Sequence, residues 1–198
     1  MITYGVARQI AIAHIGRECV LIESSIEEKS YGWFFQRQSR AFLESGDDGE
    51  MLIGESGFIV ERENGRIVTF GSSPCIPWLE LYEKSFFKFD RWDLTILRVH
   101  KFWQTVDLLA SLQIQLVIPK EKNGTVWKIP RAWPRQQIER QLMKLPCVFY
   151  GQQMIRPNTI KVFDAIDASH CCEYQLAEAC PQKHMSGCAS SDCGPSVT

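Results

Sequence analysis

Gly54-Glu55-Ser56-Gly57 sets a serine between glycines, an arrangement that a hydrolytic nucleophile can use. A nucleophile elbow needs Gly-x-Ser-x-Gly, because both glycines must clear a tight strand-to-helix turn. Phe58 stands where the second glycine belongs, and Phe58-Ile59-Val60 reads as strand, not helix. A triad also needs a histidine held by a carboxylate. Before residue 169 the chain offers only His14, on a helical stretch, and His100, at a strand end. Ser56 is expected to be a turn residue, and no residue is assigned a catalytic role.

Other chemistries fare no better. Cys171, Cys172, Cys180, Cys188 and Cys193 crowd the last residues together with His170 and His184. Structural zinc sites usually draw two ligands from one turn as Cys-x2-Cys, a spacing absent here, so no metal is assigned. Cys75 and Cys147 sit among prolines and apolar residues with no histidine partner in sight, as buried structural thiols do. No phosphate loop of the Gly-x4-Gly-Lys-Ser/Thr or Gly-x-Gly-x2-Gly type occurs, and no cofactor is assigned. From Lys120 to Lys144 there are seven Lys and Arg against two Glu, with Trp127 and Trp133 among them. Basic residues interleaved with aromatics can hold nucleic acid. Trp127, however, lies in a strand pattern between Val126 and Lys128, and is expected in the core. A protein that works by binding protein, and not nucleic acid or membrane, is the better expectation.

Composition agrees. Hydrophobic residues make up 45% and charged residues 23%, which excludes wholesale disorder and supplies a core. The net charge of −1 hides an asymmetry. Residues 1–90 hold 14 Asp and Glu against 9 Lys and Arg, whereas residues 91–168 hold 6 against 12. An acidic half joined to a basic half suits electrostatic recognition of a partner. Arg8, Gln9 and His14 interrupt the first apolar run, so the N-terminus reads neither as a signal peptide nor as a membrane span, and the expected location is cytoplasmic.

The elements that must position any site follow from periodicity. Residues 3–15 predict a helix with Val6, Ile10 and Ala13 on one face and Ala7 and His14 at its edge. Strands are expected at 19–23 and at the aromatic run 31–37. A turn-rich loop covers 45–50. Strands at 57–62 and 66–70 form a hairpin closed at Glu63-Asn64-Gly65. A helix carries Trp78, Leu81 and Tyr82, and residues 92–99 return to strand. A second helix spans about 101–112 with Phe102, Val106, Leu109 and Leu112 in a stripe. Strands at 113–118 and 126–129 flank a turn at Asn123-Gly124. Further elements are a helix at 134–144, a strand at 147–150, and a last helix with Ile160, Phe163 and Ile166. Hairpins and helices without βαβ alternation indicate an α+β fold, an antiparallel sheet with packed helices in two small subdomains. The expected division is 1–90, then a second α+β region at 91–168 packed on the first, then a flexible cysteine-rich tail at 169–198.

Gly32-Trp33-Phe34-Phe35, the hairpin from Gly54 to Val60 with its Asn64-Gly65 turn, Gly71-Ser72-Ser73 and the helix at 76–86 resemble the YrhB-type family of bacterial immunity proteins. The resemblance covers about residues 3–88. It implies a small α+β protein without catalytic activity that binds a cognate toxin in the cytoplasm and occludes its active site. A deamidase, a nuclease or a nucleotide-consuming toxin all fit, and a chaperone-like or scaffold role is the alternative. Under this reading the polar loop residues Asp47, Asp48 and Glu50 and the hairpin tip Arg62, Glu63 and Asn64 are the candidate partner-binding residues. Trp33, Phe35, Trp78 and Trp127 are the candidate core, with Phe34 pointing opposite to Trp33 and Phe35.

Overall fold

In a computed structural model, residues 1–54, 56–122 and 125–179 are described. The chain divides into two compact units, Met1–Trp78 and a second starting at Leu79, and each is α+β with antiparallel sheets. The division falls inside the helix expected at 76–86, ahead of the boundary expected near residue 90.

The first unit opens with helix α1 (Tyr4–Ile15), whose start is capped by the Thr3 hydroxyl accepting from Val6 N–H and whose end is Gly16 at φ +74°. Strands β1 (Cys19–Leu21), β2 (Glu27–Lys29), β3 (Gly32–Phe35) and β4 (Arg37–Ser39) follow, then the short helix α2 (Arg40–Ser45). Strands β5 (Phe58–Glu61) and β6 (Ile67–Thr69) form the expected hairpin. The sheet order is β2-β3-β5-β6, with β1 and β4 paired separately. Trp33 lies opposite Val60 and Phe35 opposite Phe58, so these four share one face, against which α1 packs Ala7, Ala11 and Ile15. Trp33 and Phe35 are 1% and 0% exposed. The buried helix face is turned by one residue from the expected one, and Val6 is 43% exposed. Large rings on the sheet leave room only for small side chains where the helix comes closest, and the alanines supply them.

The opposite face of the sheet is also covered. Phe34 stacks on Phe70, and Phe70 on Trp78, with ring centroids 6.1 and 5.9 Å apart. Trp78 is half-buried and donates its indole N–H to Ser73 O at 3.0 Å. Gly57, at φ +87°, starts β5 so close to β3 that a Cβ there would lie 2.5 Å from Phe35 O. Glycine is required at that position by the sheet, not by a catalytic turn.

The hairpin tip is tied down. Asn64 Oδ1 accepts from Arg66 N–H, and Gly65 N–H donates to Glu61 O. Arg62 folds back over the Trp33 ring, 4.2 Å from its centroid, and donates to Glu28 Oε1 at 2.7 Å and Lys29 O at 3.1 Å.

The second unit contains helix α3 (Trp78–Glu83, apart from Trp78), β7 (Trp92–Val99), α4 (Phe102–Ser111), β8 (Gln115–Lys122), β9 (Thr125–Ala132), α5 (Arg135–Leu142), β10 (Cys147–Gln152), α6 (Thr159–Ser169) and β11 (Cys172–Glu178). Strand β7 is central, flanked by β10 and β11, and buries Trp92, Leu94 and Ile96. The stripes Val106–Leu109–Leu112 and Ile160–Phe163–Ile166 are buried as their spacing predicts, while Phe102 is only half-buried. The turn expected at Asn123-Gly124 lies outside the described residues.

Order does not end at Ser169, contrary to expectation. Strand β11 pairs with β7 along its length, and Cys171 is fully buried with its carbonyl accepting from His100 N–H, Lys101 N–H and the Thr105 hydroxyl. Cys172, Tyr174 and Leu176 alternate with polar residues, which is a strand pattern. Cys180, His184, Cys188 and Cys193 lie outside the described residues.

Three outcomes follow from this packing. Trp33→Ala is expected to destabilise the first unit by about 3–5 kcal/mol in denaturant unfolding, since it empties a ring-sized volume in the core. Arg62→Ala should lower that stability by about 1–3 kcal/mol, because it removes both the cation–π contact and charged hydrogen bonds. Ending the chain at Ala168 removes β11 and should abolish cooperative unfolding of the second unit, read by near-ultraviolet circular dichroism during a thermal melt.

Candidate functional site

The chemistry-bearing residues are spread apart. Ser56 precedes a strand, and Glu55 lies outside the described residues. The exposed His14 lies edge-on to Phe58, 4.8 Å between ring centres. His100 faces Glu173 at 3.2 Å on the exposed end of β7 in the second unit. Burial pushes the Cys147 thiol up to about 11 and the Cys172 thiol up to about 12, so both are poor nucleophiles at neutral pH. Cys75 is exposed, with its sulfur 3.0 Å from the Ser73 hydroxyl. Among the described residues, no group of three His, Cys, Asp or Glu side chains could hold a metal ion.

The six candidate partner-binding residues separate into two sets. The hairpin turn leaves the sheet at the Gly32–Glu61 end, where Ile2 N–H donates to Arg62 O at 2.7 Å. The loop holding Asp47, Asp48 and Glu50 leaves through β4 and α2 and returns at the Phe58 end. Topology therefore sends them off opposite ends of the β3–β5 pair. Arg62 and Asn64 serve the fold through the contacts given above, and Glu63 is left exposed beside them.

Asp47, Asp48 and Glu50 are all exposed. Their backbone is nonetheless fixed at several points. Ser39 caps α2 by accepting from Phe42 N–H at 3.1 Å, and Gly46 ends it at φ +70°. Asp47 Oδ1 accepts from Gly49 N–H at 2.9 Å, forming a local turn. Gln38 Oε1 accepts from Leu52 N–H at 2.7 Å and from Ser39 N–H, clamping both ends of the segment.

Sequence reading missed the apolar residues that share this segment. Leu43 is 53% exposed, Met51 37% and Ile53 81%, and α2 buries none of its residues. The available signal was three large apolar side chains in a stretch without helical or strand period, between acidic residues. Residues 43–53 thus present apolar side chains and the carboxylates of Glu44, Asp47, Asp48 and Glu50 together. In a partner's surface the former would supply buried area and the latter a directing field.

Trp127 is a correction. It is 59% exposed on β9, not core, because the β8–β9 sheet has only two strands and leaves a face to solvent. No described helix is long and apolar enough to cross a membrane.

Comparisons place these features among known proteins. No solved structure matches the chain. The uncharacterized protein YrhB of Escherichia coli (strain K12) is 38% identical over 55 residues, which are 27% of this chain and 58% of that protein. The chain thus spans little more than half the length of this curated relative. Residues 6–85, which hold most of α1, the four-stranded sheet and the acidic segment, match the family model of Immunity protein 35, and over this N-terminal region the chain is similar to that immunity-protein family.

Proposed function

We propose that the protein is an immunity protein that binds a cognate toxin in the bacterial cytoplasm and inhibits it by covering its active site. Two supports are the match over residues 6–85 and the absence of a nucleophile–base pair among the described residues. The observation that carries the proposal to particular residues is the clamped segment 43–53, with Leu43 and Ile53 largely exposed amid four carboxylates. Apolar anchors buried at the centre of an interface supply most of its affinity. Acidic groups around them speed encounter with a basic cleft, an effect that salt screens. Toxins that act on nucleic acids or nucleotides need such a cleft, and an acidic segment seated in it would exclude the substrate. Loops on a rigid sheet are well suited to this work, since little ordering entropy is lost on binding.

Co-expression with the toxin encoded beside it is expected to rescue cell growth, and the purified pair should form a stoichiometric complex. Failure of the pair to form a complex, together with failure to rescue growth, would refute the proposal. Reversing Asp48 and Glu50 to Lys should lower the association rate and flatten its salt dependence. Leu43→Ala with Ile53→Ala should raise the dissociation rate about tenfold or more. Unchanged rates in both variants would remove segment 43–53 from the interface.

A further inference from the structure

The β8–β9 ribbon is held at its base. Gln152 binds the backbone of Gln115 there, accepting from its N–H at 2.6 Å and donating to its carbonyl at 3.0 Å. Trp133 N–H donates to Ile114 O at 2.8 Å, and its ring meets Phe149 edge-on at 5.3 Å. From this base the two strands run eight residues each, about 26 Å. An isolated two-stranded hairpin is marginally stable in water. Alternation sets Thr125, Trp127, Ile129 and Arg131 on one face of β9, and all four are exposed, Trp127 by 59%.

A tryptophan and an isoleucine side by side on an exposed arm form a surface suited to a partner. The charge of the arm limits what that partner can be. Between residues 115 and 132 the sequence holds Lys120, Lys122, Lys128 and Arg131 against Glu121 alone, so two such arms would repel each other if paired symmetrically. An acidic surface with its own apolar anchors is the complement. The same chain carries one, in the segment with Leu43, Met51 and Ile53 among Glu44, Asp48 and Glu50.

We propose that the β8–β9 arm docks on the acidic, apolar segment 43–53 of a second copy of the chain. The two surfaces differ, so the contact is heterologous: it passes from copy to copy or closes into a ring. Apolar burial of Trp127 and Ile129 against Leu43 and Ile53 supplies attraction, and the opposite charges set the pairing and make it sensitive to salt. The same segment is the one assigned above to the toxin, so a toxin would compete with the arm of the second copy.

Sedimentation velocity of the full chain, under reducing conditions because it has eight cysteines, tests this without any toxin. Its outcome is therefore independent of the immunity reading. The average mass should rise with protein concentration and fall with added salt. Two variants isolate the surfaces: Trp127→Ala with Arg131→Glu on the arm, and Asp48→Lys with Glu50→Lys on the segment, which leaves the Asp47 turn intact. All four positions are exposed, so circular dichroism should match that of the unaltered chain. Each variant alone should remain monomeric. An equimolar mixture retains one intact arm and one intact segment per pair, and should give a dimer and nothing larger. A chain that stays monomeric at every concentration, or variants that associate like the unaltered chain, would overturn the proposal. So would binding of a single-stranded oligonucleotide that is lost in the arm variant when self-association is absent, since the arm would then be a nucleic-acid surface.

Discussion

The close seating of α1 on an aromatic strand pair is the contact on which the first unit depends. Trp33, Phe35 and Phe58 fill one face of the sheet, and Ala7 and Ala11 let the helix come down onto them with no exposed surface remaining on either alanine. Large rings against small side chains make a dense layer, and burial of the rings is the main stabilising term. The same contact sets other choices in the unit. The indole N–H of Trp33 is buried with no acceptor among the described residues, while its ring face takes the Arg62 guanidinium. A cost of about 1–3 kcal/mol for the unpaired N–H is thereby offset in part. Arg62 in turn holds β2 through Glu28 and Lys29, and its backbone bonds Tyr31 and Ile2, so this one residue ties the hairpin to the β2–β3 turn and to the start of the chain.

The second unit depends on a strand with neighbours on both sides. Leu94 and Ile96 of β7 are fully buried, and the backbone groups of β7 are satisfied by β10 on one edge and β11 on the other. The turn between α6 and β11 is fastened by the Cys171 carbonyl, which takes three donors from the start of α4 and the residues before it. Buried carbonyls must find donors, and here one does so across a long stretch of chain. Asp93 adds a further tie by accepting from Gly151 N–H at 2.8 Å, where β10 bulges and Gly151 takes φ +61°.

The surface then divides by chemistry. Carboxylates and aliphatic side chains share segment 43–53 of the first unit, while the exposed Trp127, Ile129 and Arg131 share one face of the ribbon of the second. Among the described residues, neither surface places a histidine beside a serine or cysteine. Burial raises the Cys147 and Cys172 thiols to about 11 and about 12, which lowers their thiolate fraction still further near neutral pH.

Local pattern was enough for much of this. The Asn64-Gly65 turn, the aromatic run at 32–35 and the stripe at Ile160, Phe163 and Ile166 are fixed by turn chemistry and periodicity, which act over a few residues and so are written in the sequence. Short polar elements were not legible: β2 is Glu-Glu-Lys and α2 buries nothing, so neither has a period to detect. Strand β11 does have one, in Cys172, Tyr174 and Leu176, but it is short and stands at the start of a cysteine-rich stretch without further apolar period. Other choices belong to tertiary structure because burial depends on what lies opposite. The face α1 buries was decided by the bulk of the rings beneath it. Arg62 became an internal contact because β2 and Trp33 came within its reach. Trp127 stayed exposed because its ribbon has only two strands. Leu43 and Ile53 stayed exposed because Gln38 and the α2 caps hold their segment away from the core. Local sequence determined the periodic elements and the turns, because their causes lie within a few residues; the packing of those elements decided which side chains remained at the surface.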